Sequence, residues 1–352
     1  MRYKDAGVDI DKAGRFIKIL TAEIKSKREG FGRPLTEIGH YSGLIDLDYF
    51  SLAITTDGVG TKILVANELQ KWDTIGIDCV AMNVNDLIAI GATPLALVDY
   101  IAIGKTDEEY IFLNTDKGVV KEPFDKLARE IGKGLNEGAK ISNISIVGGE
   151  SAIIPDIVKG IDLAGTAVGV VDKDSIINGQ KIRPGDSIIA IGSTGVHSNG
   201  FTLVRKIIND SDYTYYDLLP DGDKTIGEEL LIPTKIYSEV IDIIKEVRVN
   251  GLLHITGSGF LNLKRITKYG FDIYDPLEPQ PIFKFLESVG CVDKEEMYRT
   301  FNMGMGFMMI VPPGEEKKIL DRIDCKIIGK VTERPGIRVN LKDKEYGRYI
   351  YL

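Results

Sequence analysis

The chain has 352 residues, 43% of them hydrophobic and 27% charged, and a formal net charge of −8 from 44 Lys and Arg against 52 Asp and Glu. That length predicts two domains with room for a proper core, and the acidic balance supplies no field to gather nucleic acid or an anionic membrane. A charged opening, no apolar run of about 18–20 residues and three cysteines without a C-x-x-C pair read as a soluble, cytoplasmic protein of a reducing compartment, with no leader and no disulfide set.

Residues 11–27 carry Phe16, Ile17, Leu20 and Ile24 at helical spacing and predict an amphipathic helix. Phe50, Leu52 and Ile54 alternate as a strand, residues 55–62 read as a turn, and residues 63–70 as a helix. Asp73 is a plausible N-cap for a longer helix that Gly91 ends. Residues 124–135 predict another amphipathic helix, 144–147 a short strand running into Gly148-Gly149-Glu150, and 163–171 an alternating strand. A composition shift at Asp172-Lys173-Asp174 and Asn178-Gly179 divides the chain into an N-terminal domain, 1–171, and a C-terminal domain, 172–352. The second half restarts the same grammar, with a strand at 187–191, a glycine-rich loop at 192–200 and a helix at 201–209. A strand at 252–255 leads into Thr256-Gly257-Ser258-Gly259, residues 260–266 read as helical, and a late strand at 305–311 stops at Pro312-Pro313. The fold class is α/β (α+β), in two mixed halves.

Asp57-Gly58-Val59-Gly60-Thr61-Lys62 places a glycine turn between strand and helix. Such a turn, here Gly58, Gly60 and Thr61, aims free backbone N–H groups at whatever sits before the helix, which suits phosphate. Asp57 repels that phosphate unless a divalent cation lies between, and carboxylate plus phosphate is an ordinary Mg²⁺ ligand set. Lys62 adds a point charge on the phosphate oxygens; the alternative is a tight turn with a solvated Asp. The helix beginning near Asp73 is apolar on all sides yet carries Asp78, Asn83, Asn85 and Asp86, and buried charges need a partner or a metal. At about 100° per residue Asn83 and Asp86 share one side, so Asp86 is read as a second metal carboxylate with Asn83 beside the nucleotide. Glu150, at a strand terminus after two glycines, is the third acid, with a surface turn as its alternative. His197-Ser198-Asn199-Gly200 offers backbone amides, a hydroxyl and an amide at a helix start for a phosphate or polar substrate, although Ser and Asn are also common caps.

Several matches fail. Gly104-Lys105-Thr106 ends like a P-loop, but Asp99 stands at the first glycine position. His40, His197 and His254 lack H-E-x-x-H spacing, and the cysteines supply no zinc cluster. Gly304-Met305-Gly306 precedes a strand rather than joining strand to helix, which argues against a dinucleotide fold.

Taken in order, Tyr3-Lys4-Asp5-Ala6-Gly7-Val8-Asp9, Thr56 to Lys62, Asp73-Thr74-Ile75-Gly76-Ile77-Asp78, Val84-Asn85-Asp86-Leu87, Asp99-Tyr100, Gly148-Gly149-Glu150, His197 to Gly200, His254-Ile255-Thr256-Gly257 and Thr300 to Gly304 resemble the phosphoribosylformylglycinamidine cyclo-ligases of purine biosynthesis. The likeness runs to about residue 331; the opening motif and the block from Asp73 to Asp86 are its most specific parts. The resemblance implies a two-domain fold and a homodimer whose first domains join their sheets. It implies ATP and Mg²⁺, with a monovalent cation such as K⁺ as a further option, and ATP-driven closure of formylglycinamidine ribonucleotide to aminoimidazole ribonucleotide. By position it makes Asp57, Asp86 and Glu150 the catalytic, metal-holding acids. Lys62, Thr61, Gly58, Gly60, Asn83 and Lys25 become nucleotide contacts, and His197, Ser198, Asn199 and Gly200 substrate contacts. No general base is identified, and His254 is not given that role.

The chain departs from that pattern in four places. The usual glycine-rich segment is Ile38-Gly39-His40-Tyr41-Ser42-Gly43 here, which leaves His40 an open catalytic candidate. Ile153 stands where the family has a second acid, and Gly257-Ser258-Gly259 replaces a glycine triplet. Residues 107–123 form an insertion, read as a surface loop or extra hairpin. Three sister families share the fold and the aspartate loops: formylglycinamidine ribonucleotide synthetase, selenide water dikinase and thiamine-monophosphate kinase. The reading from a different class is a non-catalytic nucleotide-binding scaffold.

Overall fold

A computed structural model of the chain describes residues 1–341 and 349–352. The first half contributes helix α1 (Ile10–Glu23), strands β1 (Gly43–Asp46) and β2 (Ser51–Gly58), helices α2 (Lys62–Leu69) and α3 (Ile75–Ile88), and strand β3 (Thr93–Ile103). The hairpin β4 (Tyr110–Thr115) and β5 (Gly118–Pro123), helix α4 (Phe124–Ser142) and strands β6 (Ser145–Ile153) and β7 (Ile161–Val171) complete it. The second half carries strand β8 (Ser187–Gly192), helix α5 (Phe201–Asn209) and strands β9 (Gly251–His254), β10 (Gly270–Ile273), β11 (Met305–Val311), β12 (Lys326–Thr332), β13 (Ile337–Asn340) and β14 (Tyr349–Tyr351). Among the described residues the order is β1-β2-β7-β3-β6 in one sheet and β14-β13-β10-β12-β8-β11-β9 in the other, with β4-β5 apart. No described helix is long and apolar enough to cross a membrane.

Side chains alternate across a strand, so register decides which residues of the first sheet share a face. Asp57 pairs with Gly165, Gly165 with Asp99, and Asp99 with Gly149. This row looks toward α3, because a Cβ on Gly165 would sit 2.9 Å from Asn83 Nδ2 and 3.2 Å from Cys79 Sγ. The next row, Gly58, Ala164, Tyr100 and Glu150, looks the opposite way. Among the described residues nothing covers that outward face, and Ile54, Val98 and Tyr100 lie open on it.

Helix α3 lies between the sheet and α4, and the α3–α4 crossing is close because it is made of glycine. A Cβ on Gly76 would come within 2.6 Å of Ile131 O, and one on Gly138 within 2.8 Å of Val80 Cβ. The helix is almost wholly buried, as its all-round apolar pattern predicts. Asp73 does not cap it. Thr74 precedes the first turn without a side-chain cap bond, and Asp73 pairs instead with Lys71 at 2.9 Å.

The predicted strand at 144–147 extends through Ile153, which puts Glu150 inside β6 rather than at its end. Residues Gly259–Arg265 wind as a 3₁₀ helix. The predicted helix at 11–27 ends at Glu23, so Lys25 lies just beyond it, exposed.

Candidate active site

Strand β2 delivers Asp57 to the mouth of the turn, Gly60 (φ 71°) bends the chain, and α2 starts at Lys62. Asn83 of α3 holds this strand end. Its Oδ1 accepts the Asp57 N–H at 3.0 Å, while its Nδ2 donates to Asp57 O at 3.1 Å and to Cys79 O at 2.9 Å. Asn83 is fully buried and spent on backbone, so the sequence expectation that it touches nucleotide is corrected: it holds the strand end that carries Asp57.

The Asp57 carboxylate accepts one bond from the Gly58 N–H, at 2.8 Å. Burial first, and the nearby Asp86 charge second, push its carboxyl up to about 6. Asp86 faces His254, with Oδ1 2.9 Å from Nδ1. Asn85 Nδ2 lies 3.5 Å from His254 Nε2; an amide donor there leaves the imidazole proton on Nδ1, where it donates to Asp86. The Tyr41 hydroxyl donates to His254 O at 3.2 Å and Ser42 Oγ to Asp86 O at 3.0 Å. The glycine-poor segment therefore builds the wall of this site. Beside it His40 Nε2 is buried without a partner among the described residues, and burial, then Arg265, hold its imidazole below the usual range.

Lys62 does not reach the turn's outer side. Its Nζ is buried against Asp78, 2.8 Å from Oδ2 and 3.0 Å from Oδ1, and donates to Ile232 O at 2.8 Å. The ammonium is fully buried and donates to Asp78 Oδ1 and Ile232 O inside the protein, which corrects the expected phosphate contact. Asp78 Oδ1 also accepts from Ser198 Oγ at 3.0 Å, Thr234 N at 2.7 Å and Thr234 Oγ1 at 2.7 Å. Asn85 reads backbone in the same way, donating to Lys235 O at 2.8 Å and accepting from Tyr237 N at 3.0 Å. Three of the four polar groups on α3 thus hold neighbouring backbone or the second half of the chain, and Asp86 is the one turned to the site.

Glu150 is not brought to Asp57 and Asp86, since it stands on the outward row of the sheet. Among the described residues no cluster of three or more His, Cys, Asp or Glu side chains converges as a metal cage. Asp99 does share Asp57's face, with a carboxyl raised by burial, and its side chain crowds Gly149, where a Cβ would lie 2.8 Å from its Cγ. Sequence reading quoted it only within the motif Asp99-Tyr100 and gave it no role, although an Asp closing a long apolar run was a visible signal.

The loop before α5 is tied down by hydrogen bonds along its length. His197 adopts φ 66° and its Nε2 accepts the Thr194 N–H at 3.1 Å. Burial, foremost, holds its imidazole well below the usual range. Asn302, quoted above without a role, donates to Gly195 O at 2.9 Å and to Val196 O at 3.3 Å. Gly200 (φ 78°) lies against Phe301, so close that a Cβ would meet Cδ1 at 2.8 Å. His197 and Ser198 therefore anchor the loop, and Asn199 is the side chain among these with the loosest partner, Met82 Sδ at 3.9 Å. Thr61 Oγ1 and Thr202 Oγ1 meet at 3.1 Å, which joins the two glycine loops across the chain halves.

Two family models match: AIR synthase related protein, N-terminal domain, over residues 39–171, and AIR synthase related protein, C-terminal domain, over residues 183–342. A phosphoribosylformylglycinamidine cyclo-ligase of Methanosarcina barkeri is 55% identical over 340 residues, 96% of this chain and 97% of that one. Another from Pyrococcus horikoshii is 47% identical over 359 residues, 99% of each chain. Among solved structures, AaThiL complexed with AMPPCP and TMP superposes with a TM-score of 0.64 at 15% identity, covering 94% of this chain and 95% of that one. The hydrogenase maturation protein HypE in complex with ATP gives 0.60 at 17%, covering 86% and 84%. At such identities these two structures carry the fold alone.

Proposed function

This chain belongs to the AIR synthase related family, and from that premise we propose that it is a phosphoribosylformylglycinamidine cyclo-ligase, converting formylglycinamidine ribonucleotide and ATP to 5-aminoimidazole ribonucleotide, ADP and phosphate in purine biosynthesis. The observation that carries this reading is likeness along nearly the whole chain, 55% over 96% of it, to proteins of that name.

The formyl amide oxygen attacks the γ-phosphorus of ATP and ADP leaves. The amidine nitrogen of the same molecule then attacks the activated carbon, the ring closes, and the oxygen departs with phosphate. Nucleophile and electrophile are already tethered, so the protein's task is positioning and charge neutralisation rather than supply of a nucleophile. The turn's backbone at Gly60 and Thr61 cradles the ATP phosphates while Gly58 keeps its N–H on Asp57, Lys25 is a further ATP contact, and Asn199 leads the substrate loop.

Asp57 and Asp86 fit a divalent cation, since each carboxylate sits in the other's field and Asp57 has one backbone donor to compensate it. When bound, Mg²⁺ neutralises charge on the phosphates. His254 orients Asp86 through Nδ1 and is in turn held by Asn85. Glu150 stands outside that pair within one chain.

The open apolar face of the first sheet (Ile54, Val98, Tyr100) supports a homodimer with sheets facing. The division at 171 and 172 and a cytoplasmic location belong to the same reading. Its test is ADP release with formylglycinamidine ribonucleotide, ATP and Mg²⁺, with aminoimidazole ribonucleotide scored by colour. Product formed in step with ADP upholds the cyclo-ligase; ATP bound without product transfers the assignment to a sister ligase or kinase.

A further inference from the structure

Residues 107–123 have no part in the reaction as described, yet the hairpin β4–β5 that they form reaches both helices that leave the glycine loops. On α2, Asn67 Nδ2 donates to Asn114 O at 2.9 Å, and Lys117 Nζ lies 3.6 Å from Glu68. On α5, the Arg205 guanidinium forks onto the Asp116 carboxylate, with Nε at 3.1 Å from Oδ2 and a nitrogen of the fork on Oδ1. The Tyr215 hydroxyl donates to the same carboxylate at 3.1 Å. This pair is enclosed: the Asp116 side chain is 5% exposed and Arg205 18%.

Near their first turns the two helices touch through Thr61 and Thr202. That contact, with Lys62 and Ser198 both held on Asp78 beside it, gathers the ties at one end and so acts as a pivot. A bidentate guanidinium–carboxylate pair fixes distance and angle together, and here it adds a second tie away from the pivot. We propose that hairpin β4–β5 is a brace setting the loop at 197–200 against the turn at 57–61, with Asp116 and Arg205 as positioning residues for the transfer step. The proposal rests on the cyclo-ligase reading for its kinetic consequence. ATP and substrate each bind one loop without needing the other, but transfer needs both in line, and a misplacement of about 1 Å can cost about 100-fold.

The test compares the full-length protein with Asp116→Asn, which keeps the side chain's shape and an acceptor for Tyr215 but removes the charge under Arg205. Three quantities are read: kcat per folded enzyme, the Kd of a non-hydrolysable ATP analogue, and hydrogen–deuterium exchange over 195–204. The brace predicts kcat lower by about tenfold or more, Kd within about twofold of wild type, and faster exchange at 195–204 with β11 unchanged. Asp116→Glu, which restores the charge, recovers part of kcat. A purely structural pair would lower the melting temperature and leave kcat and loop exchange at wild-type values, and that result overturns the proposal. If Asp116→Asn does not fold, Tyr215→Phe weakens the same carboxylate more gently and is read by the same criteria. If the wild type itself makes no product, the cyclo-ligase reading fails separately. The exchange measurement needs no substrate and still decides: faster exchange upholds the brace, unchanged exchange overturns it.

Discussion

Asp57 and Asp86 lie near each other in a site that desolvates one of them, and this shapes two expectations at the residue scale. Asp57→Asn and Asp86→Asn are each expected to abolish ATP turnover while leaving the fold intact, as read by ADP release and circular dichroism. Full activity in either at limiting Mg²⁺ would remove the metal assignment. The second expectation concerns pH. The Asp57 carboxyl moves from 3.8 up to about 6 on folding, so the native state binds its proton more tightly than the unfolded chain does. The contribution of this carboxyl to stability is then full below about pH 4 and lost as pH climbs through about 6. The loss is capped at about 3 kcal/mol. In metal-free buffer, Asp57→Asn should therefore match wild type in melting temperature near pH 4 and exceed it near pH 7; a constant difference across that range would refute the burial argument.

At the scale of elements, α3 is the part from which the site is hung. It supports Asp57 through Asn83, the segment at 232–237 through Asp78 and Asn85, and His254 through Asp86. Its glycine-lined crossing with α4 lets it sit deep enough to reach all three. The Lys62–Asp78 pair is fully buried on both sides, so removing one partner strands the other charge. Lys62→Ala is expected to destabilise by about 3–5 kcal/mol, whereas the double variant Lys62→Met with Asp78→Asn, which removes the stranded charge and keeps an acceptor for Ser198 and Thr234, should regain part of that loss. Urea denaturation distinguishes the two. A Lys62→Ala variant as stable as wild type would mean that the lysine is not committed to Asp78. The buried pair was also the hardest feature to see beforehand: a Lys beside a glycine turn and an Asp on a helix 16 positions later each suggest a ligand when read alone, and their mutual distance is a tertiary fact.

For the whole molecule, the open face of the first sheet sets the expectation. Tyr100→Arg places a charge amid Ile54 and Val98 on that face. If two copies join there, the variant should run as a monomer in light scattering while wild type runs as a dimer; an unchanged dimer would move the interface elsewhere. Fold class and the order of strands and helices around both glycine loops were legible in the sequence, because periodicity and punctuation are local. The hairpin was half legible. The insertion marked a loop or hairpin, while its grip on Arg205 was not visible from spacing.

What the sequence by itself determined was the chemistry available: acids at the turn and on an apolar helix, glycine loops before two helices, and a string of motifs whose order points to one family. Which acids act together was decided only by the tertiary structure. Sheet register puts Asp57 and Asp99 on one face and Glu150 on the other, since neighbouring residues of a strand point apart. Burial decided the rest: a buried polar group takes the nearest partner that can satisfy it. For Lys62, Asn83 and Asn85 that partner is the protein itself, and Asp86 is left turned toward the site.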